Sequence, residues 1–335
     1  MKYVYSLLAV ICLIFYMGCS CATDGTEAAE RIFGKSSEAL VFISCKAVSE
    51  TEIDFEFSLP VKVTSLHFSP LIQPDSIENG RTVMVSFKPG LGPGERVTAD
   101  LLVEDDNGNT LNVLVPFRTR NDKLPSLLIN ELRTEYSKPK CEFIELMTLE
   151  AGNLGAMRVF IVGNYKAPLV YEFPSIQVAK GEYITLHLRT TEESNRDELG
   201  RSLDESGGAD SSPTARDIWI PGSAKLLHKT DAVYLLDQDD RVVDAVMLSE
   251  NDDPWWSKDY FAEAAEFLYN AAAWKSSDNK ICDPSKAVQS ARTTLTRTIC
   301  RDESLVKKTG TAADWYITAN SGATPGKPNN PKRYN

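Results

Sequence analysis

Residues 52–57, Glu52-Ile53-Asp54-Phe55-Glu56-Phe57, alternate a carboxylate with an apolar side chain at every step. A period of two places the apolar residues on one face of a pleated strand and the carboxylates on the other. The pattern extends outward from there. Residues 39–48 (ALVFISCKAV) read as a buried strand, 61–66 alternate again, and 82–87 and 96–103 continue the series. Asp105-Asp106-Asn107-Gly108-Asn109 then turns the chain, and 110–117 return as a strand. Asn-Gly between two apolar runs is a strong hairpin signal. The same stretch fails as an EF-hand loop, because Thr110 and Pro116 stand where glycine and glutamate are needed. No helix-period segment of useful length interrupts 38–120, so this region is expected to form a small β-sandwich.

Composition sets outer bounds. The chain has 335 residues, 42% hydrophobic and 25% charged, enough for two ordinary domains. Those values exclude wholesale disorder, a collagen-like fibre and a multi-pass membrane protein. Lys plus Arg is 36 against 47 acidic residues, a net charge of −11. So acidic a body does not draw in phosphate backbones, and nucleic acid is not an expected partner. Lys307-Lys308 and Lys327, Lys332 and Arg333 form only small basic clusters. His67, His187 and His228 are the only histidines, and neither His67 nor His228 has a nucleophile motif nearby. The seven cysteines include no C-x-x-C pair, so neither a metal nor a cofactor is expected.

Residues 1–18, MKYVYSLLAVICLIFYMG, carry Lys2, a short apolar run and a small residue at the end. That is the layout of a signal peptide and is short for a bilayer span. Gly18-Cys19 resembles the lipobox of bacterial lipoproteins, in which the cysteine becomes an acylated, palmitate-bearing terminus. Tyr16 and Met17 depart from its usual residues, and Cys21 after Ser20 is the alternative anchor. A plain secretory signal and an uncleaved anchor are the competing readings. All three place the body outside the cytoplasm. Residues 19–37 are small and polar, as a flexible tether would be.

Two family resemblances refine the body. Phe57-Ser58-Leu59-Pro60-Val61, Leu91-Gly92-Pro93-Gly94-Glu95 and the 103–109 hairpin resemble bacterial immunoglobulin-like domains of surface proteins. A linker, 120–125, follows. Beyond it stand Ile129-Asn130-Glu131, Glu142-Phe143-Ile144-Glu145-Leu146, Phe173-Pro174, Lys180-Gly181-Glu182-Tyr183, Ala313-Asp314-Trp315 and Thr324-Pro325-Gly326-Lys327-Pro328-Asn329. This ordered set resembles the lamin-tail domain of bacterial secreted proteins. Met147-Thr148 replaces the usual Tyr-Asn after the core strand. The resemblance implies an immunoglobulin-like sandwich over 124–329 without catalytic activity. The expected fold class is therefore all-β: two tandem immunoglobulin-like β-sandwiches, the second with a helical insertion. Residues 190–216 read as a mobile surface loop, and 249–310 as an insertion with a helix over 258–275. The helix would bury Tyr260, Ala264, Phe267, Leu268, Ala271 and Trp274 on one face.

Few residues carry candidate chemistry. Glu131 and Glu145 could act as paired carboxylates, but hydrogen bonding at strand ends is the favoured role. Trp255 and Trp256, with Tyr260, are the candidate partner-binding residues. The competing reading, favoured by the usual burial of large aromatics, is that the tryptophans pin the following helix. Cys282 and Cys300 are a candidate disulfide, whereas Cys45 and Cys141 read as buried thiols. Together these features describe a bacterial cell-envelope lipoprotein, periplasmic or surface-facing, held to a membrane by its lipid. Its body would be a non-catalytic structural or binding module for a protein or glycan. The alternative is an accessory docking domain for a secreted nuclease or phosphoesterase, or a weak enzyme using Glu131 and Glu145.

Overall fold

The computed structural model describes residues 39–163, 168–305 and 308–334. The signal peptide, Cys19, Cys21 and the 19–37 tether lie outside the described residues. The fold is all-β, as the alternation predicts, with α1 (Asp259–Asn270) as the one α-helix among the described residues. Buried apolar side chains gather into two clusters, one drawn from residues 53–113 and one from 127–315.

The first unit contains β1 (Phe42–Ser49), β2 (Glu52–Ser69), β3 (Ser76–Glu78), β4 (Gly80–Ser86), β5 (Arg96–Asp105) and β6 (Thr110–Arg118). The 18-residue β2 organises it. Residues 52–57 of β2 pair with β1 on one side and β4 on the other, whereas 61–69 pair with β5. Register breaks between Glu56 and Val61. Pro60, which cannot donate to a ladder, lies in that break. Ile53, Phe55 and Phe57 are fully buried and pack with Val83, Val85, Leu101 and Val103. Glu56, on the other face, is exposed.

Residues joining the two units are built into the fold. Asn121 is buried and donates to the carbonyls of Asn153 (2.7 Å) and Gly155 (2.8 Å). Arg120 forms a two-bond ion pair with Asp239 at 3.0 and 3.2 Å. Gly94 (φ +70°) lies so close to the Gly155 backbone that a Cβ would stand 2.3 Å from its carbonyl carbon. Only glycine meets both conditions there.

In chain order the second unit has β7 (Ser126–Arg133), β8 (Phe143–Glu150), β9 (Gly152–Asn153), β10 (Arg158–Ile161) and β11 (Leu169–Glu172). Then come β12 (Gln177–Val178), β13 (Tyr183–His187), β14 (Ala215–Trp219), β15 (Asp231–Leu236) and β16 (Val242–Ser249). α1 (Asp259–Asn270), β17 (Val288–Gln289), β18 (Ile299–Arg301) and β19 (Trp315–Ile317) complete it. One sheet runs β11-β10-β15-β16-β17 and the other β14-β13-β8-β7-β18-β19. Their facing side chains, among them Ile129, Leu146, Leu186, Val233, Val246 and Leu248, share one apolar cluster.

Three expectations are corrected here. Residues 190–216 do not hang off the surface: Glu198, Asp210 and Ser212 are buried, and Ala215 and Arg216 already belong to β14. Their polar sequence lacks an apolar period because they cover a polar sheet face with hydrogen bonds. Residues 249–310 are not wholly an insertion, since β18 lies inside the six-stranded sheet between β7 and β19. α1 is shorter than 258–275 and turned from the expected face. It buries Phe261, Ala264, Ala265 and Leu268, leaving Tyr260 and Phe267 outward. Ala272 takes φ +55° and reverses the chain, so Trp274 enters the core from beyond the helix.

Candidate functional site

Strand alternation gives the six-stranded sheet two unlike faces. The inner face carries Leu132, Ile144, Leu146, Ile184, Leu186 and Ile299 in the apolar cluster. On the outer face, register aligns Glu131 with Glu145 and Cys300, Glu145 with Thr185, and Thr185 with Asp217. A second row runs Arg133, Phe143, His187, Trp219. A register shift between Ile129 and Glu131 moves the carboxylate onto this outer face. Every residue in both rows is buried, because residues from 198–212 and 324–329 fold over them.

Glu131 and Glu145 form the centre of the first row. Glu131 accepts from Thr298 Oγ1, and from Thr324 N at 3.1 Å and Thr324 Oγ1 at 3.3 Å. Glu145 accepts from Gly326 N (2.5 Å) and Asn130 Nδ2 (3.0 Å). Asn329 completes the latch by donating to the carbonyls of Asn130 (3.1 Å) and Arg301 (2.9 Å). The Ile-Asn-Glu, Glu-Phe-Ile-Glu and Thr-Pro-Gly segments thus meet in one place. Burial pushes both carboxyls up, against the hydrogen bonds that oppose it, and the neighbouring Glu131 charge raises Glu145 further. The pair sits within the sheet, and its oxygens accept from Thr298 and Asn130 of the sheet segments as well as from the C-terminal segment.

The second row ends in a thiol–imidazole–carboxylate arrangement. Cys141 Sγ lies 3.5 Å from His187 Nδ1, and His187 Nε2 lies 2.9 Å from Asp217 Oδ1. The imidazole stacks on Trp219, with centroids 3.7 Å apart and planes 7° apart. Asp210 Oδ2 lies 3.5 Å from Cys141 Sγ, accepts from Cys141 N at 2.9 Å, and pairs with Arg133. Arg133 also donates to the Cys141 carbonyl (2.6 Å) and covers the Phe143 ring at 4.6 Å. A nucleophilic thiol needs access and a depressed pKa. Cys141 has neither, being fully buried and raised first by burial and then by the Asp210 charge. Sequence reading missed the role of His187, Asp210 and Asp217. No local signal in the sequence joins them to Cys141, since the residues come from separate segments.

Comparison with known proteins addresses this second unit. The family described as "TP_1001_2nd: protein second domain" matches residues 125–317. That span runs from the start of β7 to the last residue of β19 and covers more than half of the chain. The chain belongs to this family. The family span therefore includes Glu131, Glu145, Cys141, His187, Asp210 and Asp217, and stops short of the 324–329 latch. A protein of Treponema pallidum (strain Nichols), described only as "Uncharacterized protein", is 32% identical over 134 residues, 38% of this chain and 34% of that protein. The chain thus matches about a third of that relative's length. A crystal structure of a DUF4876 family protein from Bacteroides thetaiotaomicron covers 85% of this chain and 90% of its own, at 15% identity and a TM-score of 0.28.

The aromatic residues singled out in the sequence lie elsewhere on the family domain, around α1. Trp255 is 72% exposed, whereas Trp256 is half-buried against Phe261 and donates from Nε1 to the Cys282 carbonyl at 2.8 Å. The two tryptophans therefore divide the two readings: Trp256 pins the helix and Trp255 faces outward. Tyr260 and Phe267 are also exposed, on α1. Asp252, Asp253, Asp259, Glu263 and Glu266 are exposed on the same stretch of chain, with Lys258 the only cation between 251 and 270. Cys282 and Cys300 do not form the expected disulfide. Both are free and buried, Cys282 within the apolar cluster beside Trp256 and Cys300 on the sheet's outer face next to Thr298. They project into different layers because β18 is a sheet strand and not part of a loop.

Proposed function

We propose that this chain is a cell-envelope lipoprotein whose folded body is a non-catalytic binding module, with a lamin-tail-like second domain. The observation that carries the reading is Trp255, a large aromatic standing in solvent on a stretch of chain rich in exposed carboxylates. An exposed tryptophan flanked by aromatic neighbours is the usual anchor of a protein interface. The acidic rim selects a partner with basic side chains and repels anionic lipid. The committed lone pairs of Glu131 and Glu145 and the sealed Cys141 support a binding role over an enzymatic one.

The test is in-cell cross-linking with the wild-type chain, Trp255→Ala and Asp252→Asn/Asp253→Asn. One partner should be captured, and its yield should fall at least tenfold in Trp255→Ala and drop with salt. The exposed Trp255→Ala change should move stability by no more than about 0.5 kcal/mol. Capture that is indifferent to both variants, or that responds to soluble glycan in place of salt, sinks the basic-protein reading. The anchor has its own test. A labelled fatty acid should enter the wild-type chain and be lost in Cys19→Ser. Label retained in that variant moves the anchor to Cys21, and an unlabelled wild type removes it.

A further inference from the structure

We propose that Cys141, His187 and Asp210 form a binding site for a divalent cation of the zinc class. Their ligand atoms lie within 4.8 Å of one another, and all three residues are buried. The edges of the triangle are 3.5 Å from Sγ to Nδ1, 3.5 Å from Sγ to Oδ2, and 3.9 Å from Nδ1 to Oδ2. Tetrahedral zinc, with bonds of about 2.3 Å to sulfur and about 2.0–2.1 Å to nitrogen and oxygen, requires ligand–ligand edges of roughly 3.3–3.6 Å. Two edges meet that requirement and the third closes with a shift of a few tenths of an ångström.

The surroundings match as well. A metal-bound imidazole characteristically gives its other nitrogen to a carboxylate, which fixes its tautomer and orientation. His187 does so through Nε2 and Asp217, and Trp219 holds the ring plane. Asp217 is itself held, accepting from Ser212 N at 2.8 Å. Charge also balances. A thiolate, Asp210 and Asp217 offset one divalent cation plus the Arg133 guanidinium. A cation is the natural cause of thiolate formation in a place where burial alone favours the thiol. Thiolate, imidazole and carboxylate together suit zinc over magnesium or calcium. On its Asp210 side the site borders a cleft of about 430 Å³ lined by Arg133, Lys140, Ser212, Thr324 and Lys327.

The experiment uses the full chain, purified in zinc-supplemented buffer and desalted. About one zinc per chain should remain, and cobalt substitution should give a near-ultraviolet thiolate-to-cobalt band. Cys141→Ser should abolish the band and cut bound metal at least tenfold, while Cys300→Ser should retain both. Asp217→Asn should weaken affinity about 10–100-fold. Should Cys141→Ser fail to fold, the wild type decides alone, since a chelator should lower its melting temperature. Trace zinc, no thiolate band and a melting temperature indifferent to chelator would overturn the proposal. The cluster would then be a hydrogen-bonded thiol–imidazole–carboxylate network.

Discussion

Asp244→Ala should destabilise the second domain by about 3–5 kcal/mol, the cost of breaking a buried ion pair and leaving the Arg301 guanidinium with Asp314, 3.8 Å away, as its remaining charged partner. Asp244 stands on β16 in one sheet, and Arg301 on β18 in the other. Arg301 donates to Asp244 Oδ2 at 2.6 Å and to the Ile129 carbonyl at 2.7 Å, and Ile129 N donates to the same Asp244 oxygen at 2.8 Å. Lys308 adds a 3.2 Å contact to Oδ1, and Trp315 receives the guanidinium on its ring at 4.4 Å. Both partners are almost fully buried, so water does not compensate the loss. For a domain of this size the melting temperature should drop by about 6–20 °C. Asp244→Leu/Arg301→Met should recover part of that, because it removes the buried guanidinium along with its carboxylate, although the Ile129 groups, Lys308 and Asp314 each lose a partner. A single-variant loss under about 1 kcal/mol would show that the pair does not join the sheets.

The second large effect is on pH. Glu131 and Glu145 are both raised in the folded state above the ordinary value of 4.5. The folded chain therefore holds protons that the unfolded chain has released. Stability contributed by those protons is complete below about 4.5 and declines as pH rises through the folded-state values. Asp231 and Glu198, raised by burial, add to the same slope. Above the ordinary thiol range Cys300 and Cys282 extend it, with Cys282 pushed up to about 11. Asp105, Asp239 and Asp302 are lowered by hydrogen bonds and act in the opposite sense in acid. The domain should thus be most stable in mildly acidic solution, and its melting temperature should fall over the interval in which pH rises above the ordinary carboxylate range. Glu145→Gln should flatten that fall, being neutral throughout and still able to accept from Gly326 N. A melting temperature that rises over this interval, or a slope unchanged in Glu145→Gln, would refute the account.

The fold class was legible because alternation is a local signal. Ile53, Phe55 and Phe57 declare their face without reference to any other segment. The latch was legible in part. Asn130-Glu131, Glu145 and Thr324-Pro325-Gly326 stood out as short motifs of polar and turn residues, yet that they touch was written nowhere along the chain. Residues 190–216 were misread because hydrophobic periodicity detects only segments that pack on apolar faces. This one covers Arg133, His187 and Asp217, so its own buried residues are Glu198, Asp210 and Ser212. The cation cluster was invisible for a related reason. Cys141, His187 and Asp210 come from three separate segments, with no spacing between them that a local motif could encode. α1 was found from its alanines and apolar spacing, but its burying face was assigned one residue out of phase.

The latch also sets an order of events for a chain that emerges from synthesis N-terminus first. β7 and β8 emerge early, carrying two carboxylates whose backbone donors reside at Thr324 and Gly326. Until those late residues arrive, Glu131 and Glu145 have only the side chains of Thr298 and Asn130 as donors and lack the backbone donors that complete their burial. The first unit, whose core draws only on residues 53–113, is under no such delay. The second domain thereby verifies its own length, since a product broken off before residue 324 retains an unfinished, protease-sensitive sheet.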